Sequence, residues 1–464
     1  MVRGEGAGAV TIDVAIIGAG ISGLSTAHFL GKGGCKPVVL ERRTEAGGTI
    51  RSEHAEGFLM EAGPNSTAET TPVIEELLGD LGIRAEKLPA AGFARHRYIL
   101  RGGRLHPLPT GPGSFLTTPL WSRRAKLRLL LEPFVRRAGH EETIAEFVRR
   151  RLGHEFLDYA VDPFVAGIYA GNPRRLSVRA AFPKLDALEQ RYGGLIKGTL
   201  IGARARRKQP TASRASAPLF SFRTGMATLP RTLAASLGPA LHLNTRVRSV
   251  APAARGFKVV SEHDGQIAEQ RYDAVVLSVP AYAAAELLRD WMPELAGRLE
   301  EVKYPPVTVV ALGYRSCDIR IGLDGFGFLV PEIEGRGILG TIWNSSLFPG
   351  RAPPGSAIVT TFIGGARQPE CALQPDEEIF RVAHEENAAL MGIGAAPVFR
   401  RLARWRKAIP QYNLGHLELI QAIAQAEQTF PGLRLCSNFR DGISVADCIA
   451  NGKRTAERLL RADS

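Results

Sequence analysis

A strand, a glycine-rich turn and a helix follow one another near the start of the chain, and this unit limits the fold more than any other feature. Residues 13–17 (DVAII) are an apolar run, and apolar positions with helical spacing follow as far as Leu30. Between the two, Gly18, Gly20 and Gly23 form the pattern G-x-G-x-x-G. These glycines permit a tight turn, a close approach of the backbone to a pyrophosphate, and close packing of the helix on the strand.

A second strand completes the unit. The stretch KPVVLE ends in Glu41, eighteen residues after Gly23. A carboxylate at that position accepts hydrogen bonds from ribose hydroxyls, and the N–H groups at the start of the helix face the phosphates. Because strand, glycines, helix, second strand and acid occur in this order, the sequence predicts an α/β protein with a Rossmann-like dinucleotide-binding domain.

A glycine doublet indicates the kind of dinucleotide. Gly47 and Gly48 lie in ERRTEAGGTIRS, directly after the second strand. This stretch resembles the second signature of the two-dinucleotide-binding-domain flavoproteins, which implies FAD as the cofactor and places the doublet close to it. In GFLMEAGPNS, Glu61 and Gly63 match the next segment of such proteins that contacts the flavin.

Three later stretches resemble further FAD-contacting segments of the same class. In LHLNTRVRSVAP, Val247 matches a valine whose backbone meets the adenine. In YDAVVLSVPAYAAAELL, Ser278 stands near the flavin where alanine is usual. The resemblance also places Trp405 near the flavin. The final helix is expected to begin beside the flavin, through Gly442, Ile443, Ser444 and Val445.

The motifs taken together resemble one family. Five stretches occur in its order: GPNS (63–66), GIYAG (167–171), GFGFLVP (325–331), FIGGARQP (362–369) and IPQYNLGH (409–416). They are similar to the oxygen-dependent, FAD-containing protoporphyrinogen oxidases of haem biosynthesis, within the flavin amine oxidase superfamily. The resemblance covers nearly the full chain. Ser437 and Ser444 stand where this family often has glycine, and both replacements are small.

The resemblance implies three domains. A discontinuous FAD-binding domain comprises residues 1–60, 220–290 and 405–464. A substrate-binding domain with a mixed sheet comprises residues 61–94 and 291–404. A helical membrane-docking domain occupies residues 95–205.

The implied activity is oxidation of protoporphyrinogen IX to protoporphyrin IX, with O2 as acceptor and release of H2O2. No side chain is assigned a catalytic role, because the flavin N5 carries the chemistry. Arg97 matches the arginine that binds a propionate, and Gly167 matches a glycine whose carbonyl faces the pyrrole nitrogens. The remaining substrate-binding positions are Asn65, Phe326, Leu329, Ile342 and Phe362.

Three other functions stay open from the sequence. The substrate is either protoporphyrinogen or coproporphyrinogen III, which differ in their number of propionates. A different amine oxidase-like flavoenzyme is a second reading, with a covalent flavin link through Cys436 or Cys448. The third is a non-catalytic flavoprotein that binds porphyrin and passes it to a chelatase.

The charge of the chain is concentrated in one region. The net charge is +13, but residues 95–214 carry 24 Lys or Arg against 9 Asp or Glu, a net of +15. A solvated face, nucleic acid and an anionic lipid surface all fit a basic region. No nucleic-acid motif accompanies it, and it coincides with the implied docking domain. We therefore expect peripheral association with an anionic membrane, with PLWSRRAKLRLLLEPFVRR as an interfacial helix that uses Trp121; a helix packed on its own protein is the alternative.

The cysteine spacing predicts the cellular compartment and indicates that the chain has no metal site. The five cysteines lack metal-ligand or redox spacing, so we expect a reducing, cytoplasmic compartment at the inner face of the membrane, and no metal site. No apolar run approaches the ~20 residues of a spanning helix. His416 is interpreted as a structural side chain rather than a base. A hand-over of product to a ferrochelatase and a homodimer are the further partnerships considered.

Overall fold

The computed structural model describes residues 12–92, 96–206 and 217–462. The strands are β1 (Asp13–Ile17), β2 (Lys36–Leu40), β3 (Ser52–Ala55), β4 (Phe58–Glu61), β5 (Thr67–Ala68), β6 (Lys87–Pro89), β7 (Tyr98–Arg101), β8 (Arg104–Pro107), β9 (Leu219–Phe222), β10 (Leu241–His242), β11 (Thr245–Pro252), β12 (Phe257–His263), β13 (Gln266–Tyr272), β14 (Ala274–Leu277), β15 (Val307–Arg315), β16 (Gly327–Leu329), β17 (Gly340–Ile342), β18 (Ser356–Gly364), β19 (Phe399–Trp405) and β20 (Leu433–Leu435). The α-helices are α1 (Ile21–Lys32), α2 (Pro72–Asp80), α3 (Pro112–Thr117), α4 (Arg123–Arg128), α5 (Ile144–Arg151), α6 (His154–Phe156), α7 (Asp162–Tyr169), α8 (Val178–Ala181), α9 (Pro183–Tyr192), α10 (Leu195–Arg206), α11 (Thr228–Leu237), α12 (Ala281–Leu288), α13 (Pro293–Glu300), α14 (Asn344–Leu347), α15 (Asp376–Met391), α16 (His416–Thr429) and α17 (Val445–Ala462).

A five-stranded parallel sheet forms the core of the Rossmann-like unit, in the order β10-β2-β1-β14-β20. Strand β1 lies at its centre and is buried on both faces, which is why its sequence is a continuous apolar run. One apolar cluster joins the sheet to α1, α11 and α17, and a second joins it to α12, α13 and α16. Helices therefore cover both faces, which confirms the predicted α/β class.

The last helix packs closely against the first. A Cβ at Gly452 of α17 would lie 2.8 Å from the Cβ of Ser25 and 3.0 Å from the backbone nitrogen of Thr26, both in α1. Only glycine permits this approach without displacement. The contact fixes the start of α17 beside the glycine-rich turn, although more than four hundred residues separate the two in sequence.

A seven-stranded mixed sheet forms the second unit, in the order β19-β15-β18-β17-β16-β7-β8. Its strands pair antiparallel except for β16 and β7, which are parallel. One face packs against α15 through Phe328, Val330 and Ile363. Strands β7 and β8 fall inside residues 95–205, the predicted helical domain, yet they pair with this sheet. The helical region consequently starts beyond Pro107, and the rest of the domain division stays a prediction.

The helical region, α3 to α10, has its own apolar cluster, which includes Trp121, Phe147 and Phe156. Trp121 is buried and stacks on Phe156 with ring centroids 4.7 Å apart. The expectation that Trp121 faces a membrane is therefore wrong. The segment around it is also not one helix, because α4 ends at Arg128 and a 3₁₀ turn, Leu129–Phe134, follows with a proline inside it. Within the described ranges, every helix is too short or too polar to cross a bilayer.

Candidate functional site

A long cleft opens at the carboxyl ends of the parallel strands, where ligands bind in open α/β sheets. The turn from β1 to α1 forms one side of it, with Gly18 at φ +104°. A Cβ at Gly18 would lie 2.5 Å from the carbonyl oxygen of Ser278, so this turn requires glycine. The backbone N–H of Gly47 donates to the carbonyl of Ala19 at 2.8 Å, which places the glycine doublet against the same turn.

Glu41 holds the turn from the second strand. Its Oε2 accepts a hydrogen bond from the backbone N–H of Ala19 at 2.8 Å, and its Oε1 accepts one from that of Arg43 at 2.9 Å. The side chain is buried and also lines the cleft. A carboxylate has about four lone-pair sites, so two such bonds leave capacity for ribose hydroxyls.

The cleft fits a dinucleotide. A Cβ at Gly20 would meet no atom within 4 Å, so the backbone at the start of α1 faces open space rather than protein. The hydroxyl of Ser278 is buried, lines the cleft and has no hydrogen-bond partner among the described residues. Exposed helix N–H groups and a buried hydroxyl without a partner are the donors that a pyrophosphate and a flavin edge accept.

Ten of the thirteen predicted cofactor positions line this cleft. They are Gly18, Gly20, Glu41, Gly47, Gly48, Val247, Ser278, Trp405, Ile443 and Val445. They come from six separated parts of the chain, which the parallel sheet, β11, β19 and the last helix bring together.

The other three predicted positions, Gly23, Gly442 and Ser444, do not line the cleft. A Cβ at Gly23 would lie 2.0 Å from the carbonyl oxygen of Gly18, so Gly23 permits helix packing. Gly442 adopts φ +119° in the turn before α17. Ser444 caps α17, since its Oγ accepts from the backbone N–H of Asp447 at 3.1 Å and donates to the Asp447 carboxylate at 2.6 Å.

Several cleft residues were missed from the sequence. They include Arg42, Arg43, Tyr282, Tyr304, Lys407 and Asn438. The position of Arg43 two residues after Glu41 was a usable signal, because a residue so close to an anchored acid stays near it. Its guanidinium donates to the carbonyl of Gly48 at 3.1 Å. Tyr282 lies inside the stretch YDAVVLSVPAYAAAELL, and Lys407 lies two residues after Trp405, so both were also close to predicted positions. Tyr304 lies outside the motifs in sequence.

The two cysteines considered for a covalent flavin link differ in position. Cys448 lines the cleft, whereas Cys436 is buried in the core beneath α1. Burial raises the pKa of the Cys448 thiol to about 12. Because the thiolate is the reactive form, this environment disfavours a covalent link.

The predicted substrate wall forms one face of the mixed sheet. Leu329 pairs with Gly340, and Gly340 pairs with Phe362, so these three form one row across β16, β17 and β18. Ile342, two residues from Gly340, points to the same side and pairs with Gly327. Glycines alternate with half-buried apolar side chains on this face, which leaves it flat.

Helix α7 faces this wall. A Cβ at Gly167 would lie 2.7 Å from Cδ2 of Leu329, and Ala166 and Ala170 belong to the same apolar cluster as Phe362. Small residues on α7 thus set a narrow separation between the helix and the sheet. Gly167, Leu329, Ile342 and Phe362 therefore lie close together, and their role in substrate binding stays a prediction.

Arg97 lies at the end of the wall, one residue before β7. Its guanidinium carbon is 5.1 Å from the ring centroid of Phe326. The side chain is exposed, yet desolvation by the surrounding protein lowers the pKa of Arg97 from its ordinary value. No carboxylate of the described ranges forms an ion pair with Arg97.

Asn65 and Glu61 have structural partners. The Asn65 amide oxygen accepts from the side-chain amide of Asn344 at 2.5 Å, and both residues are buried. Glu61 does not line the cleft, contrary to the expectation from its motif. It accepts hydrogen bonds from Ser52 at 2.6 Å and from the backbone N–H of Met226 at 2.9 Å, and burial raises its pKa to about 7.

A buried ion pair anchors the start of α7. The Arg367 guanidinium lies 2.7 Å from the Asp162 carboxylate, donates to the Asp162 carbonyl at 2.7 Å, and donates to the Val330 carbonyl at 3.0 Å. Asp162 also accepts from the backbone N–H of Glu332 at 2.8 Å. The pair therefore joins α7 to the segment that follows β16.

His416 begins α16 and is buried against Tyr412, with ring centroids 4.1 Å apart and planes 12° apart. Burial lowers the pKa of His416 to about 4, so the ring is neutral near pH 7. Tyr412 donates to the carbonyl of Asn438 at 2.6 Å and accepts from the N–H of Gly442 at 3.0 Å. The pair holds the loop that lines the cleft, while His416 itself lies outside the cleft lining.

Comparison with known proteins places the chain among flavoproteins. The family model for flavin containing amine oxidoreductase matches residues 21–460. Protoporphyrinogen oxidase 2, chloroplastic/mitochondrial, of Arabidopsis thaliana is 33% identical over 96% of this chain and 93% of its own length. The protoporphyrinogen oxidase of Macaca fascicularis is 33% identical over 96% of this chain and 98% of its own. A crystal structure of a protein from Exiguobacterium sp. 255-15 shares the fold with a TM-score of 0.81, at 23% identity over 98% of this chain and 100% of that one.

The parallel sheet, its glycine-lined cleft and the adjoining mixed sheet define a flavin-dependent oxidoreductase. The chain belongs to the flavin containing amine oxidoreductase family and, within it, to the protoporphyrinogen oxidases. The predictions of the family, of an enzyme and of a flavin cofactor are thereby confirmed.

Proposed function

We propose that the protein oxidises protoporphyrinogen IX to protoporphyrin IX with bound FAD and O2, in haem biosynthesis, and releases H2O2. The observation that carries this proposal is the flat wall beside the cleft, with Arg97 at its end, in a chain that matches protoporphyrinogen oxidases along nearly its full length.

The protein's own residues hold the cofactor. The α1 N-terminus with Gly20 receives the pyrophosphate, Glu41 receives a ribose, and the α17 N-terminus with Ile443 lies along the flavin end of the cleft. When bound, FAD supplies a two-electron acceptor, so removal of six hydrogens takes three turnovers.

A separate set of residues orients the substrate. The row Leu329, Gly340 and Phe362 offers an apolar plane for the macrocycle, and α7 limits the slot on the opposite side. Arg97 holds a propionate through two parallel hydrogen bonds. Because Arg97 is the only titratable residue among the predicted substrate positions, the wall binds and positions the substrate without a side-chain base.

Aerobic turnover tests the proposal. The purified yellow protein is incubated with protoporphyrinogen IX or with coproporphyrinogen III, and porphyrin fluorescence and H2O2 are followed against a protein-free background. We expect faster turnover of protoporphyrinogen. Porphyrin binding without H2O2 would indicate a carrier, and preference for coproporphyrinogen would correct the substrate.

We also propose that the helical region docks on an anionic membrane surface at the cytoplasmic side. Five apolar side chains of this region are 59–83% exposed: Leu116, Leu127, Leu130, Leu131 and Phe134. Basic residues interleave with them, and the described part of the chain offers no ion-pair partner to Arg123, Arg124, Arg136 or Arg137. Apolar and cationic side chains on one surface suit an interfacial position. A hand-over to ferrochelatase and a homodimer stay predictions.

Liposome flotation tests the docking. We expect binding to anionic vesicles at low salt and weaker binding at high salt or to neutral vesicles. Leu130→Asp with Phe134→Asp should reduce binding. Ile267→Asp, on β13 and equally exposed, is the matched control and should bind as the wild type does. Equal binding by all three proteins would contradict the assignment of the surface.

A further inference from the structure

A second cavity, of about 110 Å³, lies beyond the edge strand β20, separate from the flavin cleft. Its lining is almost entirely polar, and α17 contributes residues one turn apart on one face. The lining residues are Arg434, Arg440, Asp441, Asn451, Arg454, Thr455 and Arg458. Since a water molecule occupies about 30 Å³ in the liquid, the cavity has room for a group of a few heavy atoms.

The positive charge of this cavity is only partly neutralised. Glu427 binds both terminal nitrogens of Arg440, one of them at 3.0 Å, and Asp441 lies 3.9 Å from Arg454. In the described part of the chain, no carboxylate forms an ion pair with Arg434 or Arg458. Four guanidinium groups and two carboxylates therefore leave a net charge of +2 around the cavity.

Two guanidinium N–H groups at the cavity lack hydrogen-bond partners among the described residues. They are the buried Nε of Arg434 and the buried Nε of Arg440, whose side chain is 9% exposed. The Nε of Arg440 lies 3.4 Å from Asp441 without an aligned hydrogen bond. Burial lowers the pKa of Arg434; the charge of Glu427 opposes this effect, and the positive charges of Arg458 and Arg440 add to it. Such crowding of cations is relieved by an anion.

We propose that this cavity binds a small oxyanion of the phosphate class, and that the bound anion stabilises the loop of residues 436–445. A phosphate offers several acceptor oxygens to the guanidinium forks, in a space without apolar lining. Arg440 and Asp441 belong to this loop, and two further residues of the loop, Asn438 and Ile443, line the flavin cleft. Occupancy of the cavity therefore strengthens retention of FAD. The inference does not depend on which substrate the enzyme oxidises.

Calorimetric titration of the FAD-loaded protein tests the site. Inorganic phosphate and glycerol 3-phosphate are titrated separately, with sodium chloride of equal ionic strength as the reference. We expect saturable binding of phosphate at one site per chain. Binding of both ligands indicates that a phosphate attached to a larger molecule also enters, and binding of inorganic phosphate alone indicates the free ion.

Matched arginine variants locate the site. Arg458→Gln should weaken phosphate binding about tenfold, because one charge-assisted contact is lost. Arg461→Gln, an exposed arginine in the last turn of the same helix, is the control and should bind as the wild type does. Arg454→Gln replaces Arg458→Gln if that variant does not fold. Absence of saturable binding, or equal binding by the variants and the control, would overturn the site.

Flavin fluorescence on heating tests the effect on the loop. Phosphate should raise the temperature of FAD release in the wild type and in Arg461→Gln, and Arg458→Gln should need about tenfold more phosphate for the same rise. Phosphate binding that leaves the release temperature of the wild type unchanged would overturn the proposed stabilisation of the loop.

Discussion

The flavin cleft and the substrate wall are built in different ways. The cleft is mostly backbone: glycines clear space, helix N-termini direct N–H groups, and Glu41 fixes the turn. The wall is mostly side chains, arranged by the pairing of β16, β17 and β18. Substitutions in the cleft should therefore lower FAD affinity, whereas substitutions at the wall should weaken substrate binding.

The largest effect is expected where the wall is anchored. Arg367→Met leaves the Asp162 carboxylate buried without its cation, which costs about 3–5 kcal/mol of unfolding free energy. Substrate KM should also rise, because α7 loses its attachment to the segment after β16, while FAD affinity should be unchanged. Urea unfolding of the FAD-loaded protein and steady-state kinetics measure these effects.

Two further variants sharpen this prediction. Arg336→Met breaks a more exposed pair with Glu386 near the same sheet and should cost about 1 kcal/mol or less. Adding Asp162→Asn to Arg367→Met should recover part of the lost stability, since the buried charge is removed. A loss from Arg367→Met no greater than that from Arg336→Met would contradict the anchoring role.

A substitution in the cleft should impair FAD binding without unfolding the protein. Gly20 has φ −72° and ψ 172°, which any residue adopts, and a Cβ there meets no protein atom. Gly20→Val should therefore fold but should lose FAD affinity on the order of 100-fold, because the side chain occupies the approach of the pyrophosphate. Circular dichroism and FAD titration measure the two properties. Gly31→Val, later in α1 and also in open space, is the control; equal FAD affinity in both variants would refute the assignment.

A substitution at the wall should impair substrate binding while the protein keeps its bound flavin. Arg97→Gln should lower kcat/KM on the order of 10–100-fold, mainly through KM, since a charge-assisted carboxylate contact is lost. Arg104→Gln removes an exposed arginine on the neighbouring β8 and should have no effect. Kinetics with protoporphyrinogen and the flavin absorbance of each variant are compared. A fall in FAD content alone, with normal KM, would mean that Arg97 serves the cofactor instead.

The difference between the two regions explains what the sequence could predict. The turn from Gly18 to Glu41 is local, so its spacing indicates both structure and ligand. The sequence did not show that Ser444 caps α17, because the direction of that turn depends on backbone angles such as the φ of Gly442; its contact with the flavin stays a prediction. The sequence likewise did not show that Trp121 is covered, since Phe156 reaches it only through tertiary packing.

The substrate wall could be predicted only because motifs of this chain resemble those of a known family. Its row of Leu329, Gly340 and Phe362 depends on strand register, and a slip of one residue would turn each side chain to the other face. The arginine cavity carried no sequence signal, because Arg434 and Arg458 are distant in sequence and meet through β20 and α17. Local sequence patterns therefore do not reveal the strand register that forms the wall or the helix packing that forms the arginine cavity.

The smallest effect concerns the ring that supports the cleft loop. The folded-state pKa of His416 is about 4, below its ordinary value of 6.5, so its contribution is complete above pH 6.5 and is lost as the pH falls toward 4. His416→Phe keeps the stack on Tyr412 and cannot titrate. Between pH 7 and pH 5, the unfolding free energy of the wild type should fall by roughly 2 kcal/mol more than that of His416→Phe. Urea unfolding at both pH values measures this difference, and kcat at pH 7 should stay near that of the wild type; a large loss of kcat with FAD retained would instead assign His416 to catalysis.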